Sequence, residues 1–330
     1  MRTLIVKLGA LGDVVIATAL IRRIQQSLVD DELWLLTTPA FAPLFEHWPG
    51  LRVQAFPRKG AGNMFRALRW LRSMRFDRLF DLQSNDRSSL LVALSGVPER
   101  IGNLPRFPYT RHPPDWYRSE THIFERMNEV LVSAGLPPAE PRPWLPASDA
   151  DRQRVDDWLA AQGLAERPLA LLHAGASPRW PSKCWPYYAE LGERLAQAGL
   201  GVVWVGAGED AGLNATLAKR AGVDATDAFS IVQLAELGRR ARFAVTNDSG
   251  PMHILSAAGI PLFAFFGPTR WVKNHALGQA ERVLRHPVEC SPCQRGTCPP
   301  ERGHACLAGI GVDEVLARLE AEGLLAPANP

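Results

Sequence analysis

The chain repeats one order of elements: a short apolar run, a turn of glycine or small polar residues, then a stretch with helical spacing. Thr3–Leu8 is apolar apart from Lys7, Gly9–Gly12 is a turn, and Asp13–Leu28 places Val14, Ala17, Leu20, Ile21, Ile24 and Leu28 at helical intervals. Leu33–Leu36, Val53–Phe56 and Arg78–Leu82 read as further strands, with helices near Asn63–Met74 and Ser89–Leu94 between them. Continuous apolar strands alternating with helices are what a parallel sheet covered on both faces requires, so the pattern predicts an α/β fold.

Pro137–Pro146 holds five prolines and reads as a linker. Beyond it the same order begins again. Leu169–His173, Gly201–Val205, Phe243–Thr246 and Leu262–Phe266 are strands, and helices are expected near Pro186–Ala198, Asp210–Ala221, Ile231–Arg240 and Met252–Ala258. The predicted domains are 1–148 and 149–310, followed by a terminal segment 311–330. That segment holds a helix over Val312–Glu322 that can pack back on the first domain. At ~150 residues per domain, 330 residues suit this division. Ligands of open parallel sheets sit outside the carboxyl ends of the strands, so two such sheets facing a central cleft would hold a ligand there.

Composition narrows the function classes. Hydrophobic residues make up 46% and charged residues 22%, which excludes a disordered chain. The net charge of +3 argues against nucleic acid as a partner. The average hides a basic segment, however: from Arg52 to Arg78 eight basic residues face Asp77 alone. Arg66, Arg69 and Arg72 form a drifting stripe along a helix, either a solvated face or a docking surface for a phosphorylated or membrane-embedded acceptor. The apolar start of the chain is cut by Lys7 and Asp13 and reads as no signal peptide. The run Ile254–Phe266 is broken by Gly259 and Pro261 and is too short for a span of ~20 residues. The expected location is therefore cytoplasmic.

Five strand-end or tail motifs could carry chemistry. Gly9–Asp13 follows the first strand; its glycines allow close approach of a ligand, and Asp13 is either a helix-start acid or a carboxylate able to take a hydroxyl proton. His173–Ser177 leads into Lys183–Pro186, where loop amides and a lysine can hold a diphosphate. Val205–Glu209 ends a strand in a glycine turn with an acid at its end. Thr246–His253 exits a strand into Asp248, Ser249 and Gly250, a candidate phosphate cradle, with His253 one turn further on. In the tail, Cys290 and Cys293 have metal-knuckle spacing and Cys298 and Cys306 follow. Bound zinc or iron in a structural role, a disulfide and free thiols are all compatible with this spacing.

Taken in order, GALGD at Gly9–Asp13, KCWP at Lys183–Pro186, NDSGPMH at Asn247–His253, FGPT at Phe266–Thr269 and CSPC at Cys290–Cys293 resemble glycosyltransferase family 9, the bacterial heptosyltransferases of lipopolysaccharide core synthesis. The resemblance spans essentially the whole chain. It implies a GT-B fold of two Rossmann-like domains, and metal-independent inverting transfer from a nucleotide-activated heptose, usually ADP-heptose, with no cofactor. It implies Asp13 as general base and Lys183 beside the diphosphate. Ser177, Glu209, Asp248, Ser249, Gly250 and His253 would bind the donor. Gly12, Arg58, Lys59 and Arg66 would meet an anionic glycolipid acceptor, with peripheral contact at the inner membrane. Two other readings compete: a nucleotide-sugar epimerase of similar fold, which needs acid–base groups on both faces of one sugar, and a non-catalytic nucleotide-sugar-binding protein. A nicotinamide enzyme is disfavoured by the glycine spacing.

Overall fold

The computed structural model describes residues 1–114 and 120–325; the last five residues of the predicted terminal segment lie outside the described residues. The chain divides into two compact units, Met1–Pro146 and Ala147–Pro330.

In the first unit the elements run β1 (Arg2–Val6), α1 (Leu11–Ser27), β2 (Glu32–Thr37), β3 (Leu51–Ala55), α2 (Ala61–Met74), β4 (Arg78–Asp81), α3 (Asp86–Ser95), β5 (Glu99–Ile101) and α4 (Ile123–Ser133). The five strands form one parallel sheet in the order β3-β2-β1-β4-β5. β1 lies at its centre, which is why Leu4, Ile5 and Val6 are fully buried and why its sequence is apolar without alternation. Leu4, Val6, Leu71, Leu79 and Val92 pack one core beneath α2 and α3.

The second unit holds α5 (Asp149–Ala161), β6 (Leu169–His173), α6 (Tyr188–Gln197), β7 (Gly201–Gly206), α7 (Ala211–Ala218), β8 (Val223–Thr226), α8 (Ile231–Arg240), β9 (Ala241–Asn247), α9 (Gly250–Ser256), β10 (Leu262–Phe265), α10 (Trp271–Asn274), β11 (Val283–Leu284), α11 (Ala305–Ala308) and α12 (Val312–Ala321). Its six strands are parallel in the order β11-β10-β9-β6-β7-β8. Trp185 stacks on Phe265 at 4.3 Å in the core on one side of this sheet. Val312, Val315 and Leu319 of α12 enter that same core, so the terminal helix expected to pack on the first domain has its apolar face taken up by the second unit.

Helix starts follow local chemistry. Asn85, Ser148 and Ser230 each accept a backbone N–H three residues on and are answered by Ser88, Asp151 and Gln233. α1 differs: its cap is Ala10, whose side chain makes no capping bond, and the helix begins two residues earlier than its apolar spacing suggests. Gly12 and Asp13 therefore belong to the first turn of α1. Gly9 bends the chain into it at φ +140°, and a Cβ there would press on the Phe41 ring.

Candidate functional site

Every strand-end motif singled out in the sequence lies at the carboxyl end of a parallel strand, and each unit assembles its own set.

In the first unit, Asp13 is half-buried on the first turn of α1. Lys7, one residue past β1, is buried and donates to the Leu82 carbonyl at 3.1 Å. Burial pushes its ammonium below the ordinary lysine range, while the charges of Asp13 and Asp81 pull the other way. Asp81 at the end of β4 is fully buried. It accepts the Tyr109 hydroxyl at 2.6 Å and the amides of Gln83 and Ser84 at 3.0 Å each. Burial outweighs these bonds and raises its carboxyl above the usual range. Gln83 in turn accepts the Leu8 amide at 2.8 Å. The turns after β1 and β4 are thus tied together by buried polar groups, on which the start of α1 is set.

Arg58, Lys59 and Arg66 are exposed. Arg58 joins Thr37, Phe56, Asn63, Met64 and Arg87 around a surface pocket at the ends of β2 and β3. The Thr37 hydroxyl is buried there and has no hydrogen-bond partner among the described residues. Arg66 donates to Asn63 at 3.3 Å. Arg87, on α3 and beyond the basic segment, is the residue that sequence reasoning missed; only the sheet order brings α3 beside the end of β2.

In the second unit, Lys183 and Asp248 meet at 2.8 Å, and the Thr269 hydroxyl donates to the same carboxylate oxygen at 2.7 Å. Three separate motifs, KCWP, NDSGPMH and FGPT, therefore converge on one buried acid. Lys183 Nζ also stands over the Trp180 ring at 5.2 Å. Asn247 is the hub beneath them. Its amide donates to the carbonyls of Ala174 and Gly175 at 2.9 Å, and its oxygen accepts the Trp185 amide at 3.1 Å. Ser249 lies 3.0 Å from His173 Nδ1, and His173 Nε2 lies 3.4 Å from Asp210. Burial pushes the Asp210 carboxyl up, but the His173 hydrogen bond, the Ala207 amide and the imidazole charge together hold it below the usual range. Ser177 and Glu209 are exposed at the ends of β6 and β7, Gly250 opens α9, and His253 is half-buried on it. His173 and Asp210 carry no motif signal of their own as a pair; they are 37 residues apart and meet only because β6 and β7 are neighbours in the sheet.

Cys290, Cys293, Cys298 and Cys306 do line one small cavity, together with Arg302 and His304. They are not set as a metal site: among the described residues no group of three or more His, Cys, Asp or Glu side chains is placed to hold an ion. Arg302 lines the same cavity, and its interaction with the Cys290 thiol holds its guanidinium above the usual arginine range. Of the readings the spacing allows, bound zinc or iron is not shown by this arrangement, in which the cysteines are free thiols. What the tail does is brace the lysine turn: Ser182 donates to the Arg295 carbonyl at 2.6 Å, and His304 Nε2 contacts the Ser182 carbonyl at 2.7 Å.

Among the described residues no helix is long and apolar enough to cross a membrane. Residues 64–304 match the model of glycosyltransferase family 9 (heptosyltransferase). Lipopolysaccharide heptosyltransferase 1 of Pseudomonas aeruginosa is 25% identical over 365 residues, covering 99% of each chain. The structure of E. coli ADP-heptose lipopolysaccharide heptosyltransferase II superposes with a TM-score of 0.77 at 24% identity, covering 98% of each chain. E. coli heptosyltransferase WaaC with ADP gives 0.69 at 20% identity over 99% of each chain. These likenesses share the GT-B fold of two Rossmann-like domains. The chain belongs to glycosyltransferase family 9, the heptosyltransferases.

Proposed function

We propose that this enzyme transfers a heptose from ADP-heptose to an anionic acceptor of the lipopolysaccharide core, with inversion and without a metal, working in the cytoplasm at the inner-membrane face. The observation that carries the donor half is the convergence of Lys183 and Thr269 on Asp248. A nucleoside diphosphate leaving group gathers negative charge, and Lys183 is a cation already fixed in place to meet it. Its Asp248 partner keeps it pointed and partly neutralised until a diphosphate competes for it. Glu209, Ser177, Ser249, Gly250 and His253 complete the donor-binding set.

The first unit supplies the acceptor half. Asp13 is the base that takes the acceptor hydroxyl proton as that oxygen attacks the anomeric carbon. A single displacement needs one base and a leaving group that departs unaided, so it inverts the anomeric centre. Gly12, Arg58, Lys59 and Arg66 meet the acceptor's anionic groups, and Arg87 joins them across the pocket beside Thr37.

The test is to incubate the protein with ADP-heptose and a lipopolysaccharide-core acceptor, with and without EDTA, and to read the product linkage by NMR. A heptosylated product of inverted anomeric configuration, formed at the same rate in EDTA, is expected. Retained configuration or loss of turnover with EDTA overturns the mechanism; epimerised sugar without acceptor overturns the transferase reading.

A further inference from the structure

Ser249 occupies the position before α9 where a serine hydroxyl usually accepts a backbone N–H of the first turn, yet it makes no such capping bond. The hydroxyl is turned the other way, to His173 Nδ1 at 3.0 Å, and it is also placed to donate to the Asn247 carbonyl at 3.2 Å. His173 is buried, and its far nitrogen stands against Asp210 at 3.4 Å. Asp210 is itself held in a cradle: the Ala207 amide donates to it at 3.0 Å, and a Cβ at Gly175 or Gly206 would run into its side chain.

This order of partners decides where the protons are. The Asp210 carboxylate can only accept from Nε2, so Nε2 carries a proton. In the neutral ring Nδ1 is then an acceptor beside the Asn247 carbonyl, and the Ser249 proton is spent within the protein, chiefly on the closer Nδ1. Ser249 in that state offers only lone pairs outward, which repel a phosphate oxygen. For Ser249 to donate to a diphosphate, the ring must hold a second proton on Nδ1. That N–H donates to Ser249 Oγ, and the Ser249 proton turns to the phosphate. The proton comes from solvent, and the resulting imidazolium faces the Asp210 carboxylate.

We propose that Asp210, His173 and Ser249 form a proton-linked relay in which binding of a nucleoside diphosphate draws one proton onto His173. His173 and Asp210 are positioning residues that act through Ser249. The inference rests on the reading of Ser249 as a donor-binding residue. Around the ring, the ends of β7 and β9 bring Val205, Gly206, Thr246 and Asn247, none titratable, and α6 brings Tyr188, whose hydroxyl donates to Asn247. On the adjoining turns stand Asp210, the Lys183–Asp248 ion pair, exposed Glu209 and Cys184, a thiol pushed up by burial and by the Asp210 charge; α9 carries His253. Asp210 is the charge in direct contact with the imidazole.

Calorimetric titration with ADP in buffers of different ionisation enthalpy tests this at about pH 8. The wild-type protein is expected to take up about one more proton per ADP than Ser249→Ala or His173→Gln, and its ADP affinity to weaken as pH rises more steeply than theirs. Ser249→Ala removes one half-buried hydroxyl and leaves the His173–Asp210 contact in place, so it serves if His173→Gln does not fold. Equal proton counts in wild type and Ser249→Ala, with ADP bound by both, overturn the relay and leave the donor site standing. Absence of ADP binding by the wild type overturns the donor reading, and the relay with it.

Discussion

Lys183 and Asp248, 65 residues apart in sequence, form a 2.8 Å ion pair whose acid is buried and whose lysine is largely so. The pair places a cation where the proposed leaving group gathers charge, and this makes its removal a sharp experiment. Lys183→Ala is expected to lower kcat by roughly 10²–10³, the range for losing one preorganised stabilising group. It also strands the Asp248 carboxylate, so Lys183→Ala with Asp248→Asn is expected to recover thermal stability but not turnover. Steady-state rates and melting curves on the two proteins check this.

Asp13 is proposed to act on the acceptor alone. Asp13→Asn is therefore expected to lose about 10²–10⁴ in kcat while ADP binds as in the wild type. Equal loss in ADP affinity, measured by calorimetry, would remove Asp13 from the base role.

Lys7 sets a pH dependence of stability. Its folded-state pKa is lowered by burial, so at pH values between the folded value and the ordinary lysine range the unfolded chain holds more protons than the folded one. Stability from this group therefore rises as pH increases through that window. Chemical denaturation of the wild type against Lys7→Met across alkaline pH is expected to show the rise in the first and not in the second.

The pocket at the ends of β2 and β3 is proposed to read the acceptor. Arg58→Ala and Arg87→Ala are each expected to raise the acceptor KM by roughly tenfold or more, the scale of one charge-assisted hydrogen bond. The donor KM is expected to stay within error. Movement of the donor KM instead would assign these arginines to the other substrate.

Gly175 is required by shape. A methyl group there would run into the Asp210 carboxylate, a buried group held from the other side by the Ala207 amide. Gly175→Ala is expected to cost about 1–3 kcal/mol, read as a lowered Tm, through overpacking at a place where the neighbour cannot retreat. Gly212→Ala, which meets nothing, is the control.

The central strands and the motifs at their ends were legible in the sequence, because a strand buried on both faces must be apolar throughout and must end where the chain can turn. β1, β6, β9 and β10 all show this. The strands that escaped, β5, β8 and β11, lie at sheet edges. Edge strands are short and carry charged or polar residues such as Glu99, Arg100 and Asp224, which erase the apolar signal. α4 and α5 escaped as well; the Ser148–Asp151 capping box that starts α5 lies just past the proline-rich segment.

By itself the sequence determined parallel α/β architecture and the family to which the ordered motifs point, since these depend on local patterning and chain order. Only the tertiary structure decided which residues act together. Arg87 joins Arg58, His173 meets Asp210, and Thr269 shares an oxygen of Asp248 with Lys183, because parallel sheets align the ends of strands that are distant in sequence. It also decided that the four cysteines, of which only Cys290 and Cys293 have knuckle spacing, surround a cavity shared with Arg302. Spacing sets which side chains can meet; the packed loops around them set the geometry and the charge at which they do.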